Sequence, residues 1–124
     1  MGFDTKTDQI SRDQLVLPDF PVLEYGGTII TGAALSRGSV LGKITASGKY
    51  TLCDKDAVDG SEVPVAVLMD YVDAAAADKE GPIAVTGQFI EESLIFADGT
   101  AIADLRDTMW SNNLYTKALA VENA

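Results

Sequence analysis

The chain has 124 residues, enough for one domain with a modest core. Nineteen acidic residues against nine basic ones give a net charge of −10, with no Lys/Arg cluster, which excludes a nucleic-acid partner held through phosphates. Histidine is absent and Cys53 is the single cysteine, so Ser-His-Asp and Cys-His triads, the common zinc sets and an internal disulfide are excluded as well.

No apolar run approaches a membrane span, and the N-terminus lacks a basic stretch followed by an apolar one. The expectation is a protein made in the cytoplasm, with no membrane partner. Residues 1–14 are polar and mixed in charge, without a hydrophobic period. Residues 15–25, LVLPDFPVLEY, hold seven large apolar side chains in eleven positions. Pro18 and Pro21 forbid a helix and hold the chain extended. Left in water, such a segment is an exposed apolar patch of the kind that marks an interaction site. Leu15, Leu17, Phe20, Val22, Leu23 and Tyr25 are therefore expected to contact a partner, with Phe20, Leu17 and Leu23 as anchors. The alternative is an edge segment packed on its own domain. Gly26-Gly27 reads as a hinge, which divides the chain into an extended arm, 1–27, and a β-rich body, 28–124.

Residues 28–31 read as a short strand ended by Gly32. From 35 to 71, Gly38, Gly42, Gly48 and Gly60 punctuate three runs rich in β-branched and aromatic residues: VLGKIT, KYTLC and VPVAVLM. Cys53 falls in the second run, where a buried, small apolar role is the ordinary one. Residues 54–60, DKDAVDG, invite a calcium reading that fails: the third carboxylate and the glycine each fall one position late, and Val65 stands where the bidentate glutamate belongs. Carboxylates in such a loop serve turn formation instead. Residues 74–77 are four alanines, read as a helical turn or loop ended by Gly81-Pro82. Residues 83–86 and 88–90 read as strands broken at Gly87. Glu91-Glu92 reads as a solvated turn, followed by a short apolar run over 94–96. Residues 101–112 form the best helix, with Ile102, Leu105, Met109 and Trp110 on one face and Asp98 or Thr100 as N-cap. Trp110 is expected to anchor that helix on the sheet. The tail from 114 contains a final strand, LYTKALAV.

The acidic pairs Asp54/Asp56, Asp70/Asp73, Glu91/Glu92 and Asp104/Asp107 arise readily by chance among 19 carboxylates and read as solvated charge. No glycine-rich phosphate loop is present. No catalytic, cofactor-binding or metal-ligating residue is expected. Chemistry alone leaves a small, mostly β domain with one or two short helices. A ligand- or carbohydrate-binding module and a carboxylate-dependent enzyme stand as alternatives of other classes.

The central stretch carries a resemblance. Leu35, Gly38, Val40 to Gly42, Ile44-Thr45, Gly48 to Tyr50, Asp59 to Ser61 and Val65 to Leu68 occur in an order and spacing that resembles the head decoration proteins of lambda-like tailed phages. The match extends loosely to about residue 96. It implies a β-tulip-like domain, no cofactor, and a structural role as a homotrimer. It also implies a place on the outer surface of the expanded phage head, with the major capsid (coat) protein as partner. The sequence departs from that pattern in its longer, more apolar N-terminal arm.

Overall fold

The computed structural model describes Leu15, Val16 and residues 22–118. The chain is mostly β. In order come β1 (Leu23–Ile29), β2 (Ala34–Leu35), β3 (Val40–Lys43), β4 (Tyr50–Leu52), β5 (Pro64–Leu68), β6 (Val72–Asp73) and β7 (Lys79–Ile90). A 3-10 turn (Glu91–Ser93), helix α1 (Ile102–Ser111) and β8 (Leu114–Lys117) follow. The expected fold class, a small β domain with one or two short helices, is the one observed.

The strands pair in the order β1-β4-β3-β5-β7, and β7 pairs back onto β1, closing a small barrel. β2 and β6 form a separate antiparallel ribbon. β7 serves two sheets. Its first part runs antiparallel to β1, from Ile29↔Lys79 to Leu23↔Thr86. Its last four residues run parallel to β8, from Gly87↔Leu114 to Ile90↔Lys117. On the other side of that last part, Val16 bridges Phe89, and the Leu15 carbonyl accepts the Ile90 N–H at 2.8 Å.

Strand alternation sorts the apolar residues into two layers. Leu41, Leu68, Ile83 and Ile29 fill the barrel interior. Their neighbours Val40, Val67 and Ala84 point the other way and are covered by α1 through Leu105 and Met109, and by Leu15. Strands buried on both faces read as unbroken apolar runs, which is why VPVAVLM stands out in the sequence.

Two glycines are dictated by close approach. A Cβ on Gly42 would lie 2.1 Å from the Ser61 carbonyl oxygen. Gly60, at φ +106°, would collide at 2.2 Å with Thr45 Oγ1. The hairpin from β3 to β4 is thus clamped under the Asp59–Ser61 turn, where Asp59 Oδ1 accepts the Ser61 N–H at 3.0 Å and its hydroxyl at 2.6 Å.

Several local expectations are corrected. Gly26-Gly27 is no hinge; both residues lie inside β1. Gly81-Pro82 and Gly87 do not break the chain, because β7 runs continuously through them. Pro82 is tolerated there since β5 ends at Leu68, and the Pro82 carbonyl takes the Met69 N–H just beyond that end. The N-cap of α1 is Ala101; Asp104 reaches back to accept its N–H at 2.9 Å, while Thr100 accepts the Lys55 N–H instead. Trp110 remains 47% exposed at the rim of the helix contact.

Candidate partner-binding surface

The expected contact residues separate into three groups. Leu15 is 1% exposed and belongs to the core beneath α1, so its side chain is closed to any partner. Burial of that leucine satisfies the body itself, which corrects its assignment as an outward contact. Val22 is half-buried against the same core. Leu23 and Tyr25, by contrast, are 49% and 56% exposed. Leu17 and Phe20 lie outside the described residues.

The register of β1 explains that exposure. β1 meets β4 only at Ile29↔Tyr50, in parallel. Counting back from that pair sets Gly27 and Gly26 level with Gly48 and Ser47, at the end of the β3–β4 hairpin. Beyond that point no described strand lies beside β1 on the side away from β7. Tyr25 shares the inward side with Gly27 and Ile29 by alternation, yet it stays more than half exposed. At the covered end the closure is firm. The Ile30 N–H donates to the Tyr50 carbonyl at 2.9 Å. The Thr31 N–H donates to Asp78 Oδ1 at 2.7 Å, and Lys49 pairs with the other oxygen of Asp78. The hydrogen bond from Lys49, then that from Thr31, holds the Asp78 carboxyl below its ordinary range. The Tyr50 ring lies over Gly27, where a Cβ would stand 3.1 Å from a ring carbon.

Beside Tyr25 is a shallow depression of about 490 Å³, lined by Glu24, Tyr25, Gly26, Glu80, Gly81 and Pro82. Glu80 was not singled out in the sequence, and Pro82 was read there only as ending the alanine run. Their only signal is cross-strand: Glu80 pairs with Thr28 and Pro82 with Gly26.

The remaining polar chemistry is structural. Arg106 donates through Nε and Nη2 to the two oxygens of Glu91, at 3.1 and 3.0 Å. The Thr116 hydroxyl donates to Glu91 Oε2 at 2.8 Å, and Trp110 Nε1 donates to Thr116 Oγ1 at 3.0 Å. Arg106, more than offsetting the cost of burial, holds the Glu91 carboxyl below its ordinary range. Glu91 is therefore a tie between the 3-10 turn, α1 and β8 rather than a solvated turn residue. Cys53 is fully buried, and burial, followed by the nearby charges of Asp54 and Glu62, pushes its thiol up to about 12. Asp54 accepts the Asp56 N–H at 2.9 Å, as a turn-forming aspartate does. Among the described residues, no three His, Cys, Asp or Glu side chains gather as a metal-binding group. No helix among them is long and apolar enough to cross a membrane.

In this arrangement the hydroxyls that meet carboxylates, Ser61 on Asp59 and Thr116 on Glu91, serve a turn and a tie between elements. What it offers is surface: an apolar, strand-borne patch at one end of a small barrel. Residues 5–109 match the family of bacteriophage lambda head decoration protein D. The chain belongs to that family. It is a phage head decoration protein, a structural component of the capsid. No curated protein matches it. The head decoration protein D resemblance seen in the sequence now has a steric basis: the glycine of V-L-G and the D-G-S turn are spaced to fit because Gly42 packs directly against Ser61.

Proposed function

We propose that this protein binds the outside of the expanded phage head as a homotrimer, ties neighbouring major capsid (coat) subunits together and so stabilises the shell. The family match over residues 5–109 carries this reading. The energetics are those of binding. Once one protomer of a trimer docks, the other two meet their sites at high effective concentration, so modest contacts add to strong retention. A protein that binds the expanded shell and not its precursors stabilises that state by mass action. The N-terminal arm supplies the main contact. Leu23 and Tyr25 are its exposed apolar residues within the described part, and Phe20 and Leu17 are further anchors on the sequence reading. Burying each large apolar side chain contributes about 1.5–3 kcal/mol.

Co-sedimentation with undecorated expanded shells tests the proposal. Wild-type protein pellets with shells. Phe20→Ala and the double variant Leu23→Ser/Tyr25→Ser reduce retention, whereas Asp19→Ala, which removes a charge, has a smaller effect. A density map of decorated shells resolves three copies around each three-fold position. Isolated monomers or two-fold dimers in that map would remove the trimer, and wild-type protein left in the supernatant would remove the decoration role.

A further inference from the structure

The sequence contains two Asp-Gly dipeptides, Asp59-Gly60 and Asp98-Gly99. In this dipeptide the aspartyl side chain is readily attacked by the next backbone nitrogen, because glycine has no Cβ to shield that nitrogen. Both pairs lie in turns, and the fold treats them in opposite ways.

Asp59-Gly60 is locked. Asp59 Oδ1 accepts the Ser61 hydroxyl at 2.6 Å and the Ser61 N–H at 3.0 Å. The Gly60 nitrogen, which would have to attack, donates its N–H to Glu62 Oε1 at 2.9 Å. The Asp59 carbonyl accepts the Thr45 N–H at 2.9 Å. The Ser61 hydroxyl, then the Ser61 N–H, hold the Asp59 carboxyl below its ordinary range, in the ionised form that gives up an oxygen least readily. Bringing Asp59 Cγ onto the Gly60 nitrogen requires these bonds to open first.

Asp98-Gly99 has none of these restraints. Both residues are exposed. The Thr100 N–H donates to the Ala97 carbonyl at 2.9 Å, so the pair forms the centre of a tight turn, with Gly99 at φ +83°. Among the described residues no hydrogen-bond partner holds the Asp98 carboxylate or the Gly99 N–H. No atom stands within 4 Å of the place a Gly99 Cβ would take. The nitrogen and the carboxyl can meet by rearrangement of one exposed turn.

We propose that Asp98 is a site of spontaneous backbone isomerisation in the native protein, and that the turn at Asp59 protects that residue from the same reaction. The Gly99 nitrogen attacks Asp98 Cγ in the protonated carboxyl. The N–Cγ bond forms, a Cγ–O bond breaks, and the amide proton and the departing hydroxyl leave as one water. Water then opens the cyclic imide. Opening at Cγ restores aspartate. Opening at the main-chain carbonyl leaves isoaspartate, in which the backbone runs through Cβ and Cγ and the former main-chain carboxyl becomes the side chain. Mass and charge end unchanged, and no oxidant or cofactor takes part. The added backbone carbon falls between Ala97 and Thr100, so it breaks the hydrogen bond that closes the turn. Thr100, whose Oγ1 accepts the Lys55 N–H at 3.1 Å, comes next in the chain, just before the N-cap of α1.

Ageing of the full-length protein is the test. One sample is kept native and another unfolded in guanidinium chloride, both for several weeks with gentle warming. Isoaspartate is read by methyl transfer from labelled S-adenosylmethionine, using protein isoaspartate methyltransferase. Trypsin then locates it, because cleavage after Lys55, Lys79 and Arg106 places the two dipeptides in separate peptides. In native protein the Asp98 peptide gains label at least about tenfold faster than the Asp59 peptide, since the hydrogen bonds at Asp59 must open before it reacts. In guanidinium chloride the two peptides gain label at similar rates. Asp98→Glu, whose longer side chain closes a larger ring far more slowly, removes the label from its peptide in native protein. Equal labelling of the two peptides in native protein would overturn the proposal. So would an Asp98 peptide that stays unlabelled over the time in which the unfolded chain acquires label there.

Discussion

Arg106 grips Glu91 with two nitrogens, one on each carboxylate oxygen, at 3.1 and 3.0 Å. Fifteen residues separate the two in sequence, and the pair fastens α1 to the turn that follows β7. Glu91 also accepts from Thr116 on β8, so one carboxylate joins three elements.

That carboxylate makes the fold sensitive to acid. The folded-state pKa of Glu91 is depressed below its ordinary value of 4.5, so its contribution is fully present above that value and is lost as pH falls through the folded-state pKa. Denaturant unfolding followed from pH 7 to pH 3 is expected to show this loss. Glu91→Gln removes charge-assisted bonds in a mostly covered position and costs about 1–3 kcal/mol at neutral pH. The variant also has a flatter pH profile than wild type. An unchanged profile would mean that other carboxylates dominate the acid response.

Leu15 gives a second prediction. Leu15→Ala opens a cavity beneath α1 and lowers stability by about 2–5 kcal/mol. Deleting residues 1–14 keeps that leucine and leaves the unfolding midpoint close to wild type. Deleting residues 1–25 removes it along with the start of β1, and the body loses stability, contrary to the simple picture of a detachable arm. Calorimetry of the two truncations separates these outcomes.

Gly42→Ala brings a methyl group against the Ser61 carbonyl, and backbone cannot yield as a flexible side chain does. Overpacking of this kind costs about 1–3 kcal/mol. Gly99→Ala is strained by its φ of +83° but meets no atom within 4 Å. Equilibrium unfolding of the pair distinguishes steric collision from backbone strain, with Gly42→Ala expected to be the more damaging.

Cys53 is expected to be inert. A thiol pushed up to about 12 holds almost no thiolate at pH 8, and the side chain is fully buried. A thiol-reactive dye should label native protein only as fast as it unfolds, and should label it at once in denaturant. Rapid labelling of native protein would place Cys53 at the surface.

The sequence was most informative where structure is local. The runs around Val40, Tyr50 and Val65 became β3, β4 and β5, and Leu105 and Met109 marked the buried face of α1. Cys53 lies buried, as its place in an apolar run implied. What escaped notice depends on partners distant in the chain. Gly26-Gly27 looks like a hinge until β7 pairs with it and Tyr50 covers it. Glu91 looks solvated until Arg106 arrives from α1. Trp110 was expected on the buried face, but its indole N–H finds Thr116 at the rim and half the ring stays in water. Leu15 sits in a segment whose prolines and apolar residues suit an outward contact, yet Phe89 and Ile90 claim its backbone. Glu80 carried no local signal, because its place beside Gly26 comes from antiparallel register alone.

The backbone of Leu15 and Val16 is fastened antiparallel to the end of β7, and the rest of β7 is a stave of the barrel. A pull on the N-terminal segment along the strand axis therefore acts on the Leu15–Ile90 hydrogen bond in shear, and drags a leucine side chain out of a packed core. From Phe89 the load passes along β7 into the closed ring. Force applied at that end meets a stiff link, where a hinge at Gly26-Gly27 would have let the body swing.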